Sequence, residues 1–192
     1  MDDTIDRFRQ GIFSLRTNFG ELAQLMLKKD MGFISADDNS YDLKDKSGNR
    51  IEVKFSRAYK KSIPINEDNV ILLCSNCSTM VYSSVEAENK TSDYDCNIQQ
   101  LKPDCFDYLY YGVFFSDKIV IFRASRSDFP SSIATFNKDK KSARIKLPGY
   151  ALQHKGGEEC QFHIKRTTYK HHKDHYFVKE MTYEQLYYLF EE

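Results

Sequence analysis

The chain has no tryptophan, no surplus of either charge and no long apolar run. Lys plus Arg number 28 and Asp plus Glu number 28. A stand-alone nucleic-acid binder normally carries a basic surplus, so this balance is unusual for one. It leaves open a basic face balanced by an acidic one, or a partner that supplies the affinity. No stretch approaches the ~18 apolar residues that read as a membrane span. The N-terminal MDDTIDRFRQ is charged and lacks the apolar core of a signal peptide. These absences predict a soluble, cytoplasmic protein with no membrane partner. There is no internal repeat and no linker. Five cysteines is an odd number, which suits free thiols better than a disulfide framework.

What is present supports a folded domain. Hydrophobic residues make up 41% of 192 residues, and aromatics make up 14%, all Tyr and Phe. That suits one domain, or one domain with a small appendage. Apolar residues recur near a 3.6 period over 3–29, which predicts helix, broken or kinked at Gly11 or Gly20. Short strands and polar turns follow to residue 55, then a basic loop over 57–68. VILLCSNC at 70–77 reads as a buried strand or a short helix. Residues 83–98 are a polar excursion. FDYLYYGVFF and KIVIFRA form the strongest strand pair, joined by a tight turn at Ser116-Asp117. The charge run Asn137–Lys141 reads as a solvated loop. Residues 160–179 suggest a second strand pair around a basic, His-rich stretch. TYEQLYYLFE ends the chain as a helix, with Thr182 and Gln185 placed for a capping box. The order of elements predicts an α/β (α+β) domain around a central sheet.

One segment carries charges where strands rarely want them: YDLKDKSGNRIEVKF at 41–55. Side chains alternate along a strand, so Ile51, Val53 and Phe55 take one face and Glu52 and Lys54 the other. Residues directly opposite share a face, so Asp42 joins Glu52 and Lys54 only across an odd-length loop. A three-residue loop, Lys46-Ser47-Gly48, with Gly48 at positive φ, meets that condition. A two-residue loop would pair Asp42 with Val53, on the core side. Two carboxylates and an amine on one spot suit Mg²⁺, which takes oxygen ligands and keeps several waters. Such an ion lowers the pKa of a bound water and neutralises a phosphate. Lys54 would then orient the water or stabilise charge developing at phosphorus. A solvated hairpin face with a Glu/Lys pair is the plainer alternative.

Asp42…Glu52-Val53-Lys54 resembles the PD-(D/E)xK nuclease motif, with Glu52 and Lys54 as its E-x-K half. Tyr41 stands where the motif often has Pro. Glu21, in NFGELAQLM, matches the Glu that many members carry on the preceding helix. IQQLKPDCFDYLYYGVFFSDKIVIF is similar to the part of restriction-endonuclease chains that extends the sheet. The resemblance covers roughly residues 10–125, and it implies a single catalytic domain over 1–192 with that stretch as its core and a basic, helical C-terminal extension over 126–192. It implies a restriction-endonuclease-like mixed sheet flanked by helices. It also implies a Mg²⁺-dependent endonuclease acting on double-stranded DNA and leaving 5′-phosphate ends. Asp42, Glu52 and the Val53 carbonyl would hold the metal. Lys54 would act on the water, and Glu21 would support the site.

Other groups are weaker. Cys74-Ser75-Asn76-Cys77 with Cys96 and Cys105 lacks the paired spacing of a zinc site, and buried thiols fit better. His163, His171, His172 and His175 suggest a metal or an acid–base pair. Lys165, Arg166, Lys170 and Lys173 beside them suggest a phosphate-binding patch instead, unless they are ordinary solvated charges. Arg57, Lys60 and Lys61, just after the strand, are further candidates for DNA phosphates, which position a duplex without reading it. Tyr187, Tyr188 and Phe190 at helical spacing suit core or interface. One centre cuts one strand, and the chain has little room for a recognition domain. The expected role is therefore the small cleavage subunit of a heterodimeric type IIS restriction enzyme, beside a larger recognition or nicking subunit. The alternatives are a self-sufficient homodimeric type II endonuclease, or a non-catalytic nucleic-acid-binding or zinc-stabilised module.

Overall fold

Ile5, Ile12 and Phe13 fall on one side of α1 (Asp3–Ser14), and Phe19, Ala23, Met26 and Leu27 on one side of α2 (Phe19–Met31). Each helix therefore buries a single stripe. Neither expected glycine separates them: Gly11 lies inside α1 and Gly20 inside α2, and the break falls between Ser14 and Phe19. Gly32 closes α2 in the left-handed conformation at φ 69°. The computed structural model describes residues 3–15, 18–60, 64–130, 147–152 and 159–191. The run Asn137–Lys141 lies outside them.

The remaining elements are β1 (Ile34–Ser35), β2 (Leu43–Lys44), β3 (Arg50–Arg57), α3 (Val70–Ser75), α4 (Ser84–Ala87) and β4 (Cys96–Leu101). They continue with β5 (Tyr108–Phe114), β6 (Lys118–Ser125), β7 (Ala151–Leu152) and β8 (Cys160–Ile164). The chain ends with α5 (Arg166–Tyr176), β9 (Phe177–Thr182) and α6 (Tyr183–Glu191). The fold is a mixed α+β sandwich. A six-stranded sheet runs β1-β2-β3-β5-β6-β9, with β3 and β5 parallel and its other neighbours antiparallel. A second, three-stranded sheet runs β4-β8-β7.

Register assigns the faces of the large sheet. Lys54 pairs Tyr111, and Tyr111 pairs Phe122, so all three side chains share one face with Glu52. On that face the Tyr111 ring packs against Phe162 of β8, and its hydroxyl meets His172 Nδ1 of α5 at 3.0 Å. Phe55, Tyr110, Gly112 and Phe114 take the opposite face. There Phe114 meets Phe19 of α2, and Tyr110 meets Phe33. The phenylalanine of β3 passes over the Gly112 backbone: a Cβ at 112 would run into the Phe55 ring and the Val120 carbonyl.

Ser116-Asp117 is the expected two-residue turn, with the Phe115 N–H donating to Lys118 O at 2.9 Å. Thr182 and Gln185 form the expected reciprocal cap at the start of α6. Tyr187 and Phe190 pack partly buried against the core, while Tyr188 is 48% exposed.

Three expectations are corrected. VILLCSNC is the helix α3, and it is mostly exposed rather than buried: Ile71 is 79% and Leu72 58% exposed, and Leu73 supplies its buried side chain. The basic, His-rich stretch is the helix α5, and the strands expected on either side of it, β8 and β9, are present but do not pair with each other: they join different sheets. The C-terminal region is built into the core rather than appended. β9 completes the central sheet against β6, β8 pairs with β4, and α6 packs on α1 and α2. No helix among the described residues is long and apolar enough to cross a membrane.

Candidate active site

The hairpin β2–β3 turns at Lys46-Ser47-Gly48. The Asp45 N–H donates to Asn49 O at 3.2 Å, the Gly48 N–H returns to Asp45 O at 3.0 Å, and Gly48 has φ 82°. This is the odd-length loop that the phase of the charges demands, with glycine at the one left-handed position of the turn. The ladder pairs Leu43 with Ile51, and one further step sets Asp42 across from Glu52. At that step the chain leaves the ladder: the Asp42 N–H reaches Ile51 O at 3.0 Å. Its side chain takes over the pairing, with Oδ2 accepting the Val53 N–H at 2.8 Å.

Arg50 anchors the start of β3. Its N–H and guanidinium both bond the Asp107 carboxylate, just before β5, with an ion pair at 3.0 Å. From there the alternation carries Glu52 and Lys54 out of the core while Ile51 and Val53 stay buried. Asp42, Glu52 and Lys54 line one cleft of ≈ 450 Å³. The wall facing them comes from Gln100 and Lys102 at the end of β4, with Glu159 just before β8.

Lys54 Nζ stands 2.6 Å from Glu52 Oε1, and the Glu52 side chain is only 12% exposed. Burial pushes the Glu52 carboxyl above its ordinary range, and the Asp42 charge adds to this, while Lys54 and Lys102 pull it back. Asp42 is fixed from two sides: Oδ1 accepts from Gln24 Nε2 at 2.9 Å, and Oδ2 from the Val53 N–H. Neither bond exhausts its oxygen's lone pairs.

This donor set fits a hard divalent cation. Burial and the Asp42 charge raise the cost of ionising Glu52, and a positive ion reverses that cost. The Val53 carbonyl leaves β3 on the same edge as its N–H, beyond the end of two-residue β2, toward Asp42. Among the described residues, no three His, Cys, Asp or Glu side chains are grouped to hold a metal. An ion here would therefore take two carboxylates, with carbonyl and water oxygens completing its shell, as Mg²⁺ commonly does.

The other predicted residues lie elsewhere. Glu21 is exposed in the first turn of α2, and it is Gln24, one turn on along the same face, that reaches Asp42. Arg57 is turned to structure: its Nη1 donates to Leu15 O at 2.6 Å and Phe13 O at 3.3 Å at the end of α1, and its guanidinium lies over Phe19 and Tyr59. Lys60 faces Glu86 at 3.6 Å. Lys61 lies outside the described residues. The cations around α5 are largely paired: Lys165 with Asp95, Lys170 with Asp174 and Lys173 with Glu180. Arg166, Lys170 and Lys173 line a different cleft, beside Glu88. His172 is fully buried under Phe162, and burial holds its pKa down at about 4.

Sequence reasoning missed Gln24, Gln100, Lys102 and Glu159. Gln24 was findable, three residues after Glu21 on one helix face. The others reach the cleft through the second sheet, which no local pattern announces. No protein-family model and no curated protein matches the chain.

Proposed function

We propose that this chain is a Mg²⁺-dependent deoxyribonuclease of the PD-(D/E)xK type. It hydrolyses one strand of double-stranded DNA as the cleavage subunit beside a larger, sequence-reading subunit, in the cytoplasm. The observation that carries this reading is the convergence of Asp42, Glu52 and Lys54 in one cleft, with Glu52 destabilised as an anion by burial and by Asp42. Perturbed, partly buried carboxylates in a cleft are a mark of functional sites.

Asp42, Glu52 and the Val53 carbonyl would hold Mg²⁺, which when bound supplies positive charge to the phosphate and acidity to a water. Asp42 cannot swing away, because Gln24 and the Val53 N–H pin both of its oxygens. Lys54 Nζ hydrogen-bonds the attacking water or the phosphate oxygen that gains charge. The water oxygen attacks phosphorus in line, the P–O3′ bond breaks, and the products are 5′-phosphate and 3′-hydroxyl ends.

The test is a supercoiled-plasmid assay with the full chain, Mg²⁺ and EDTA controls, comparing wild type with Asp42→Ala. The isolated chain should nick slowly in Mg²⁺. Asp42→Ala should lower that rate by about two orders of magnitude or more, the scale of losing a preorganised electrostatic group. Equal rates would overturn the assignment of this cleft.

A further inference from the structure

Gln100 stands apart among the described residues. It is the one non-glycine residue with positive φ, at 58°. It lies where the β4–β8 register shifts, between Ile98 and Leu101. Its side chain is exposed and lines the cleft of Glu52 and Lys54. A left-handed residue costs free energy for any side chain with a Cβ. Glycine fills such a position most cheaply, and asparagine next. Glutamine is neither, so conformation alone does not account for its presence. Strained residues of this kind cluster where a side chain must be aimed.

Lys102, two residues on, has its charge felt at Glu52. Its own partner is Glu159, at 3.7 Å, with the Lys102 side chain 56% exposed. An exposed pair at that separation is weak, so an incoming phosphate can displace it. The cleft is thus lined by two carboxylates suited to a cation, by a loosely held cation and by the left-handed Gln100.

We propose that Gln100 and Lys102 are the substrate-binding wall of this cleft. Lys102 exchanges Glu159 for the phosphodiester next to the one that is cut, and the Gln100 amide hydrogen-bonds the same strand beside it. The nuclease reading above identifies the occupant as a nucleic-acid strand, and strand binding can be measured without cleavage.

The experiment uses the full chain with a fluorescein-labelled DNA duplex in low salt and Ca²⁺, read by anisotropy, together with thermal melting. Gln100→Gly should melt about 2 °C higher, because glycine relieves the strained position. It should also bind the duplex roughly tenfold more weakly. Lys102→Gln should bind more weakly and lower the log–log salt slope by about 1, whereas Gln100→Gly should leave that slope unchanged. A Gln100→Gly chain that melts higher and binds as tightly as wild type overturns the role of Gln100. An unchanged salt slope in Lys102→Gln overturns that of Lys102. Failure of the nuclease reading is separate, because it shows as nicking that survives Asp42→Ala while the binding losses persist.

Discussion

At the residue scale, Glu52 holds the tension of the site. Its carboxyl is pushed up by burial first and by Asp42, against the pull of Lys54. The folded chain thus binds the Glu52 proton more tightly than the unfolded chain does. Below its ordinary value of 4.5 both states are protonated and nothing is lost. As pH rises from there through the raised folded value, the unfolded state ionises first and stability falls. At neutral pH the wild type has therefore given up this stability, and Glu52→Gln has not. In EDTA, Glu52→Gln should melt higher than wild type at pH 7, and the gap should close as the pH falls below the ordinary carboxylate range. Added Mg²⁺ should reverse the order. A ligand at a hundred times its Kd adds about 2.7 kcal/mol to the state that binds it, and the variant lacks one of the two carboxylates. Differential scanning fluorimetry in EDTA and in Mg²⁺ reads both arms. A variant less stable than wild type in EDTA at pH 7 would mean that Glu52 is an ordinary structural ion pair.

At the scale of elements, the hairpin was legible and much of its surroundings was not. Period-two alternation in Ile51-Glu52-Val53-Lys54-Phe55 assigns faces without any tertiary information. The requirement for an odd loop then selects Lys46-Ser47-Gly48, because Gly48 is the residue able to take positive φ there. β5 and β6 were equally plain, being long, apolar and joined by a two-residue turn. The failures share a cause. VILLCSNC left strand and short helix both open, and composition alone did not show that β8 and β9, on either side of α5, join different sheets. The family resemblance points to Glu21, and only the docking of α2 on β3 shows that Gln24 reaches Asp42. The β4–β8 pairing joins residues far apart in the chain, from Cys96 with Ile164 to Leu101 with Cys160, so this part of the cleft has no local signature. The close approach of the Phe55 ring to Gly112 on the neighbouring strand gives the element-scale prediction. Gly112→Ala places a methyl between the Phe55 ring and the Val120 carbonyl. Backbone cannot give way as a side chain can, so the change should cost about 1–3 kcal/mol. It should also disturb β3 and with it Lys54. A urea midpoint equal to that of wild type would show that the strands can part without loss.

At the scale of the whole molecule, on the proposed nuclease reading, charge and the number of centres decide how the chain would meet DNA. Its formal charge is zero, and around α5 Lys165, Lys170 and Lys173 are each tied to a carboxylate. Among the described residues, the cations of the cleft itself are Lys54 and Lys102. Two phosphate contacts correspond to a salt slope of about −2, far shallower than that of a protein making six to ten. Such a chain binds DNA weakly by itself, which is the physical reason to assign it a partner that holds the duplex. It also carries one Asp42–Glu52–Lys54 cleft, so on the proposed function one binding event would break one strand. Supercoiled plasmid treated with the chain alone should therefore pass through an accumulating nicked circle. Linear DNA should appear only by independent second hits, and the nicking rate should be first order in protein. A self-sufficient homodimer would behave otherwise, with linear product formed directly from supercoiled DNA and a rate rising with the square of protein concentration. A gel time course at several protein concentrations separates the two. Direct linearisation at second order would replace the subunit reading with the homodimeric one while leaving the cleft assignment intact.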